Sequence, residues 1–205
     1  MPSPQQLILA LAPPPAPTLA GFFPGRNAAA LAAVAALLEP SPRDPFVYLF
    51  GAAGSGRTHL LEAVRTAAPD VEIADDVDQL SESAQIALFD RYNQTRATGG
   101  RFIAAGNRSP AQLTFREDLR TRLGWGLAFE LVPLSGDERL AALHAHAADR
   151  GMRVPDEIFE YVARRVQRDM GTQVAVLDAL DRYSLEHKRA LTVRLAREVL
   201  ALAHP

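Results

Sequence analysis

Cysteine is absent from this chain. That excludes disulfides, thiol catalysis and thiolate metal sites, and it fits a reducing compartment. An excess of one charge sign is absent as well. Lys+Arg number 22 against 24 Asp+Glu, a net charge of −2, so no global basic field draws duplex DNA directly. Long apolar runs are missing too. The stretch Leu7 to Ala12 is too short to span a membrane and no basic residue precedes it, so neither a membrane partner nor a secretory signal is expected. The five histidines (His59, His144, His146, His187 and His204) show no metal-ligand spacing; His144 and His146, two positions apart, cannot share a helix face. There is no internal repeat. What is present is a 48% share of apolar residues in 205, enough for one mid-sized domain or a domain with a small satellite.

The segment Gly51-Ala52-Ala53-Gly54-Ser55-Gly56-Arg57-Thr58 has the spacing of a phosphate-binding loop, with arginine where that pattern wants lysine. The apolar run Phe46 to Phe50 before it reads as a buried strand, and His59 to Val64 after it as a helix. Glycines let backbone N–H groups turn inward, and the helix N-terminus adds partial positive charge, so phosphate oxygens can be held there. Arginine at 57 is a wide planar donor in a loop shaped around a compact ammonium, and the two are not equivalent.

Residues 1–20, with Pro13-Pro14-Pro15 and Pro17, read as an extended tether. A helix follows from near Asn27, ended by Pro40 and Pro42. Strands are expected at Phe46–Phe50, Val71–Ala74, Arg101–Ala105 and Ala128–Val132, alternating with helices at Thr58 to about Ala67 and Ser83 to Arg96. That alternation predicts a parallel α/β sheet. After Pro133 only helices are expected: one opened by a Ser135/Glu138 capping box and stopped near Gly151, then Pro155 to about Arg168, Thr172 to about His187, and Val193–Ala203 capped by Thr192. The reading divides the chain into a tether (1–20), a P-loop α/β core (21–133) and a helical lid (134–205).

Asp75-Asp76 ends the second strand. Behind a P-loop, the first acid would hold Mg²⁺ with the Thr58 hydroxyl, and the second would orient or activate water; alone, such a pair is more often a solvated turn. Asn107 ends the third strand. It could hydrogen-bond a γ-phosphate or an attacking water, and it serves as well as a turn residue before Arg108-Ser109-Pro110. Arg116, Arg120 and Arg122 precede Gly124-Trp125-Gly126. Each is either a solvated helix residue or a charge offered to a neighbour's nucleotide.

The P-loop, Asp75-Asp76, Gly106-Asn107-Arg108 and, above all, Arg122-Leu123-Gly124-Trp125-Gly126 resemble the AAA+ module of the DnaA family, and within it the short Hda-type regulatory inactivators. Phe22-Phe23-Pro24-Gly25-Arg26-Asn27 is similar to the family segment that borders the adenine pocket, and Ala87 to Asn93 to the helix after the acidic pair. Arginine at 57 is itself shared with Hda-type proteins. The resemblance implies an AAA+ core and lid binding ADP or ATP with Mg²⁺. Its nucleotide contacts would come from Gly51, Gly54, Ser55, Gly56, Arg57, Thr58, His59, Phe23, Pro24 and Asn27, with Asp75 and Thr58 at the metal. Asp76 and Asn107 would assist chemistry, and Arg122 would be an arginine finger acting in trans. Gln6-Leu7-Ile8-Leu9-Ala10-Leu11 resembles the hexapeptide by which Hda-type proteins bind the DNA polymerase sliding clamp; Gln6, Leu7, Leu9 and Leu11 are the expected contacts.

The implied function is a cytoplasmic, clamp-tethered regulator that stimulates hydrolysis of ATP bound to DnaA and so restrains replication initiation. Its partners would be the clamp, DnaA, a possible second copy of itself, and DNA only through the clamp. An autonomous AAA+ ATPase, such as a helicase loader, and a nucleotide-independent bridging module are the alternatives. Two departures from the family pattern stand out. Only 17 positions separate Thr58 from Asp75, so one βα unit is missing and about four strands are expected. Gly171 falls where the family places a lid arginine that senses the γ-phosphate, with Arg168 one turn earlier.

Overall fold

The computed structural model describes residues 16–166 and 169–203. They form two compact units, meeting in sequence at Pro133/Leu134. The first is built on four parallel strands: β1 (Phe46–Phe50), β2 (Glu72–Ala74), β3 (Phe102–Gly106) and β4 (Leu127–Glu130), in the order β2-β3-β1-β4. The register pairs Phe46 with Phe102 and Val47 with Leu127. The chain passes from α2 (Arg57–Ala67) to β2 with no strand between, as the short spacing requires.

Alternation along β1 sorts the layers. Val47 and Leu49 join Ile103 and Ala105 against α1 (Ala28–Leu37) and α2, in a core that includes Val34, Leu37, Leu60, Leu61 and Val64. Tyr48, Phe102 and Ala104 pack on the other face against Leu88 and Tyr92 of α3 (Glu82–Ala97) and Leu119 and Leu123 of α4 (Glu117–Leu123). The Ser81 hydroxyl caps α3 by accepting from the Ala84 N–H at 3.3 Å. Arg101 pins the start of β3, donating to the Leu37 carbonyl at 3.0 Å and to Asp70 at 2.6 Å.

The second unit is helical: α5 (Gly136–Asp149), α6 (Asp156–Arg165), α7 (Met170–Glu186) and α8 (Val193–Ala203) around Leu143, Ile158, Val162, Leu177, Leu180 and Leu195. The Ser135/Glu138 capping box is formed, and Gly151 takes a left-handed φ of 65° just past α5. His146 of α5 and Arg150, which caps its C-terminus, both bond Asp178 of α7, at 2.7 and 3.0 Å.

Three boundaries differ from the sequence expectation by two or more residues. β4 runs from Leu127 to Glu130 rather than Ala128 to Val132, because the Val132 N–H is taken by the Asn27 side chain. Helix α6 stops at Arg165, where Val166 turns to extended backbone. Helix α7 starts at Met170 because Asp169, not a later residue, caps it through the Thr172 N–H at 2.8 Å. Helix α4 was not anticipated; its seven residues are too few to display a period.

Candidate nucleotide-binding site

Residues 51–56 turn from the end of β1 into α2. The Gly51 N–H reaches the Gly106 carbonyl at 3.3 Å, and the Ser55 N–H closes a turn on Ala52 at 3.2 Å. Gly54 and Gly56 take φ values of 79° and 95°, where a side chain is strained. A Cβ on Gly56 would also stand 2.6 Å from the Phe22 ring, so only glycine admits that ring against the loop.

Inside the loop the Ser55 hydroxyl and Nη1 of Arg57 are buried and have no hydrogen-bond partner. Buried polar atoms are ordinarily satisfied. Two orphaned groups with donor capacity, one carrying full positive charge, beside a glycine turn and a helix N-terminus, fit phosphate oxygens. The other guanidinium nitrogen of Arg57, Nη2, donates to Asn107 Oδ1 at 2.8 Å.

Thr58, the second residue of α2, donates its hydroxyl to Asp75 Oδ2 at 3.2 Å. Strands β1 and β2 flank β3, so their C-terminal ends bring these two residues to one edge of the loop. No group of three carboxylates or histidines gathers anywhere among the described residues. Mg²⁺ at a phosphate site needs only one or two protein oxygens, because phosphate and water fill its other positions. Thr58 and Asp75 suit that role. Asp76 is exposed and adopts a left-handed backbone (φ 46°), stabilised by its N–H donating to Asp75 Oδ1 at 2.8 Å. A non-glycine residue in that region is costly and tends to accompany functional turns. The turn carries the chain into Val77–Gln79, where Asp78 accepts from the Asn107 backbone N–H at 2.7 Å and from its Nδ2 at 2.6 Å.

The N-terminal segment borders the same loop. His59 Nε2 lies 2.9 Å from the Thr18 carbonyl oxygen, and its ring packs 5.6 Å from that of Phe22. Phe23 and Pro24 are half-buried on the approach to the Gly25–Asn27 turn. Asn27 is buried, and its amide is committed to the chain: Nδ2 donates to the Val132 carbonyl at 2.9 Å and Oδ1 accepts from the Val132 N–H at 2.8 Å. These bonds fix the segment beside the loop. Phe22 belongs to the segment expected at the adenine pocket, though it was not among the expected contacts. Asp78 is the site residue that sequence reading missed, and nothing in the local pattern flags it.

Arg122 lies elsewhere. It sits in the last turn of α4, with its guanidinium carbon 4.1 Å from the Trp125 ring centre and 5.8 Å from that of Phe89. Arg96 approaches the same indole at 4.7 Å. Trp125 is 53% exposed. Gly126, next along, packs on the backbone of Phe46 at the start of β1, whereas the P-loop leaves the other end. The Arg122 guanidinium thus faces Trp125 and Phe89, and none of its contacts is with residues 51–58.

Of the remaining expected positions, Gly171 lies in the first turn of α7, while Arg168 and the peptide Gln6–Leu11 fall outside the described residues.

A P-loop core followed by a helical unit is the architecture of an AAA+ module, and solved structures share it. Domain III of the replication initiation protein DnaA from Thermotoga maritima matches with a TM-score of 0.68 and 21% identity, over 92% of this chain and 97% of that one. DnaA from Aquifex aeolicus, solved with AMPPCP, matches at 0.66 and 22%, over 87% and 69%. The Holliday junction branch migration motor RuvB of Thermotoga maritima is more distant, at 0.54 and 14%, over 83% and 66%. These are likenesses of fold. Residues 136–200 match the family model of the Hda lid domain. The lid match and the fold are both similar to those of Hda/DnaA-related AAA+ proteins.

Proposed function

We propose that this chain is a cytoplasmic, nucleotide-binding regulator of replication initiation that docks on ATP-bound DnaA and stimulates hydrolysis of the ATP held there. The observation that carries the reading is the placement of Arg122 on the exposed ring of Trp125, with no contact to its own P-loop. A finger works by placing permanent positive charge beside a transferring γ-phosphoryl group. Arg122 lies against an exposed indole and makes no contact with its own loop, which supports a nucleotide held by another molecule as the one it serves. The Hda lid match and the DnaA-like fold support DnaA as that molecule.

Bound nucleotide would rest on the loop N–H groups, Ser55 and Arg57, with Mg²⁺ held by Thr58 and Asp75. It would serve to order the module rather than to be turned over. Tethering to the sliding clamp through Gln6, Leu7, Leu9 and Leu11 would bring the protein to DNA only indirectly.

The test is hydrolysis of DnaA-bound ATP, with clamp, DNA and this protein each present and omitted in turn. Faster hydrolysis only in the complete mixture supports the reading. Equal rates with and without the protein would refute it, and brisk hydrolysis by the protein alone would identify an autonomous ATPase instead.

A further inference from the structure

Asp78 stands behind the site and controls which face of Asn107 the loop meets. A carboxylate only accepts hydrogen bonds, so the Asn107 amide must turn Nδ2 towards Asp78 and Oδ1 away from it. Oδ1 then accepts from Arg57 at 2.8 Å. The three side chains form one relay, from the turn after β2, through the end of β3, to the phosphate loop.

Space for this relay depends on Gly106, where a Cβ would stand 2.8 Å from Asp78 Oδ1 and 2.6 Å from the Tyr48 hydroxyl. Charge supports it as well. Partial burial works against the Asp78 carboxylate, but the Asn107 hydrogen bonds and the nearby Arg57 charge outweigh it and hold the group below the usual aspartate range. Burial, and then the Asp78 charge, push the Tyr48 phenol well above its ordinary range against the opposing pull of Arg57. Tyr48 therefore stays a donor to the Arg108 carbonyl at 2.9 Å and fixes the chain just past Asn107.

We propose that Asp78 is a positioning residue that makes this site favour a nucleoside diphosphate over a triphosphate. Through Asn107 it holds one nitrogen of Arg57 and leaves Nη1 for phosphate. It also presents an acceptor oxygen at the loop, which repels additional phosphate oxygens. The proposal rests on the nucleotide-binding reading above.

The experiment is calorimetry of the full chain with Mg-ADP and Mg-AMPPCP. Wild type, Asp78→Asn and Asp78→Glu are compared, with NMR of the Asn107 side-chain amide in the absence of nucleotide. The wild type is expected to prefer ADP. Asp78→Asn frees the amide to turn, and should shift the preference towards AMPPCP by about tenfold, or about 1.4 kcal/mol. The Asn107 amide resonances should move in the same variant. Asp78→Glu keeps an acceptor-only group and should restore part of the wild-type ratio. Should Asp78→Asn fail to fold, Asn107→Ala breaks the relay from its other end and should shift the ratio in the same direction. An unchanged ratio in folded Asp78→Asn, or in Asn107→Ala, overturns the proposal while leaving nucleotide binding standing. A wild type that binds neither nucleotide removes the reading beneath it, and the proposal with it.

Discussion

Arg122 and Trp125 form a cation–π pair, with the guanidinium carbon 4.1 Å from the ring centre, beside the end of β1 opposite the phosphate loop. Arg122→Ala should therefore leave folding and ADP binding intact and reduce stimulation of DnaA's ATP hydrolysis by about 10³-fold. Arg122→Lys should recover little, since an ammonium cannot reproduce the planar fork. Arg120→Ala is the internal control and should do much less. Loss of the protein's own nucleotide in Arg122→Ala would place the finger in cis and defeat the reading.

Trp125 packs against the Arg122 guanidinium, and this exposed contact contributes about 0.5–1 kcal/mol. Trp125→Leu should lower stimulation severalfold, well short of the finger deletion. A loss as large as that of Arg122→Ala would show that the indole itself is a principal contact.

Thr58 and Asp75 touch at 3.2 Å and are expected to share Mg²⁺. Removing Mg²⁺ with a chelator should weaken ADP binding to the wild type by about tenfold. Asp75→Ala should bind ADP weakly whether or not Mg²⁺ is present. Calorimetry in both buffers decides it.

The clamp interaction is expected to rest on Leu9 and Leu11, each worth about 1.5–3 kcal/mol if fully buried in an apolar pocket. A Gln6/Leu9/Leu11 triple alanine variant should lose clamp binding in surface plasmon resonance and retain its melting profile. Undiminished binding would exclude the hexapeptide.

Gln173 is fully buried in the lid with neither amide atom hydrogen-bonded. An unsatisfied buried amide costs about 1–3 kcal/mol, so Gln173→Leu should stabilise the chain by about 1 kcal/mol in urea denaturation. Destabilisation would mean that the amide has an unrecognised polar role.

What could be read from the sequence was local. The run Phe46–Phe50 is apolar, short and followed by glycines, and it forms the strand expected of it. Ser135 and Glu138 lie three apart and form the expected capping box. Features that depend on residues far apart in the chain were not legible. Asp78 meets Asn107 across 29 positions, and no spacing rule links them. Phe22 lies on Gly56 because the segment after Thr18 crosses the P-loop helix, which the hydrophobic pattern of either piece does not reveal. Family resemblance placed Asn27 beside the pocket, but only the fold showed that both ends of its amide bond Val132.

The contact between Thr18 and His59 also sets the length of a leash. Thr18 is seven positions after Leu11, so even a fully stretched chain allows at most about 25 Å from the last leucine of the hexapeptide to the rim of the phosphate loop. If those leucines hold a clamp, the module hangs directly at the clamp's edge rather than roaming around it. Only a DnaA molecule loaded within a few molecular widths of that edge could then present its ATP to Arg122. Inactivation would be a local event, confined to DNA where a clamp has been left behind.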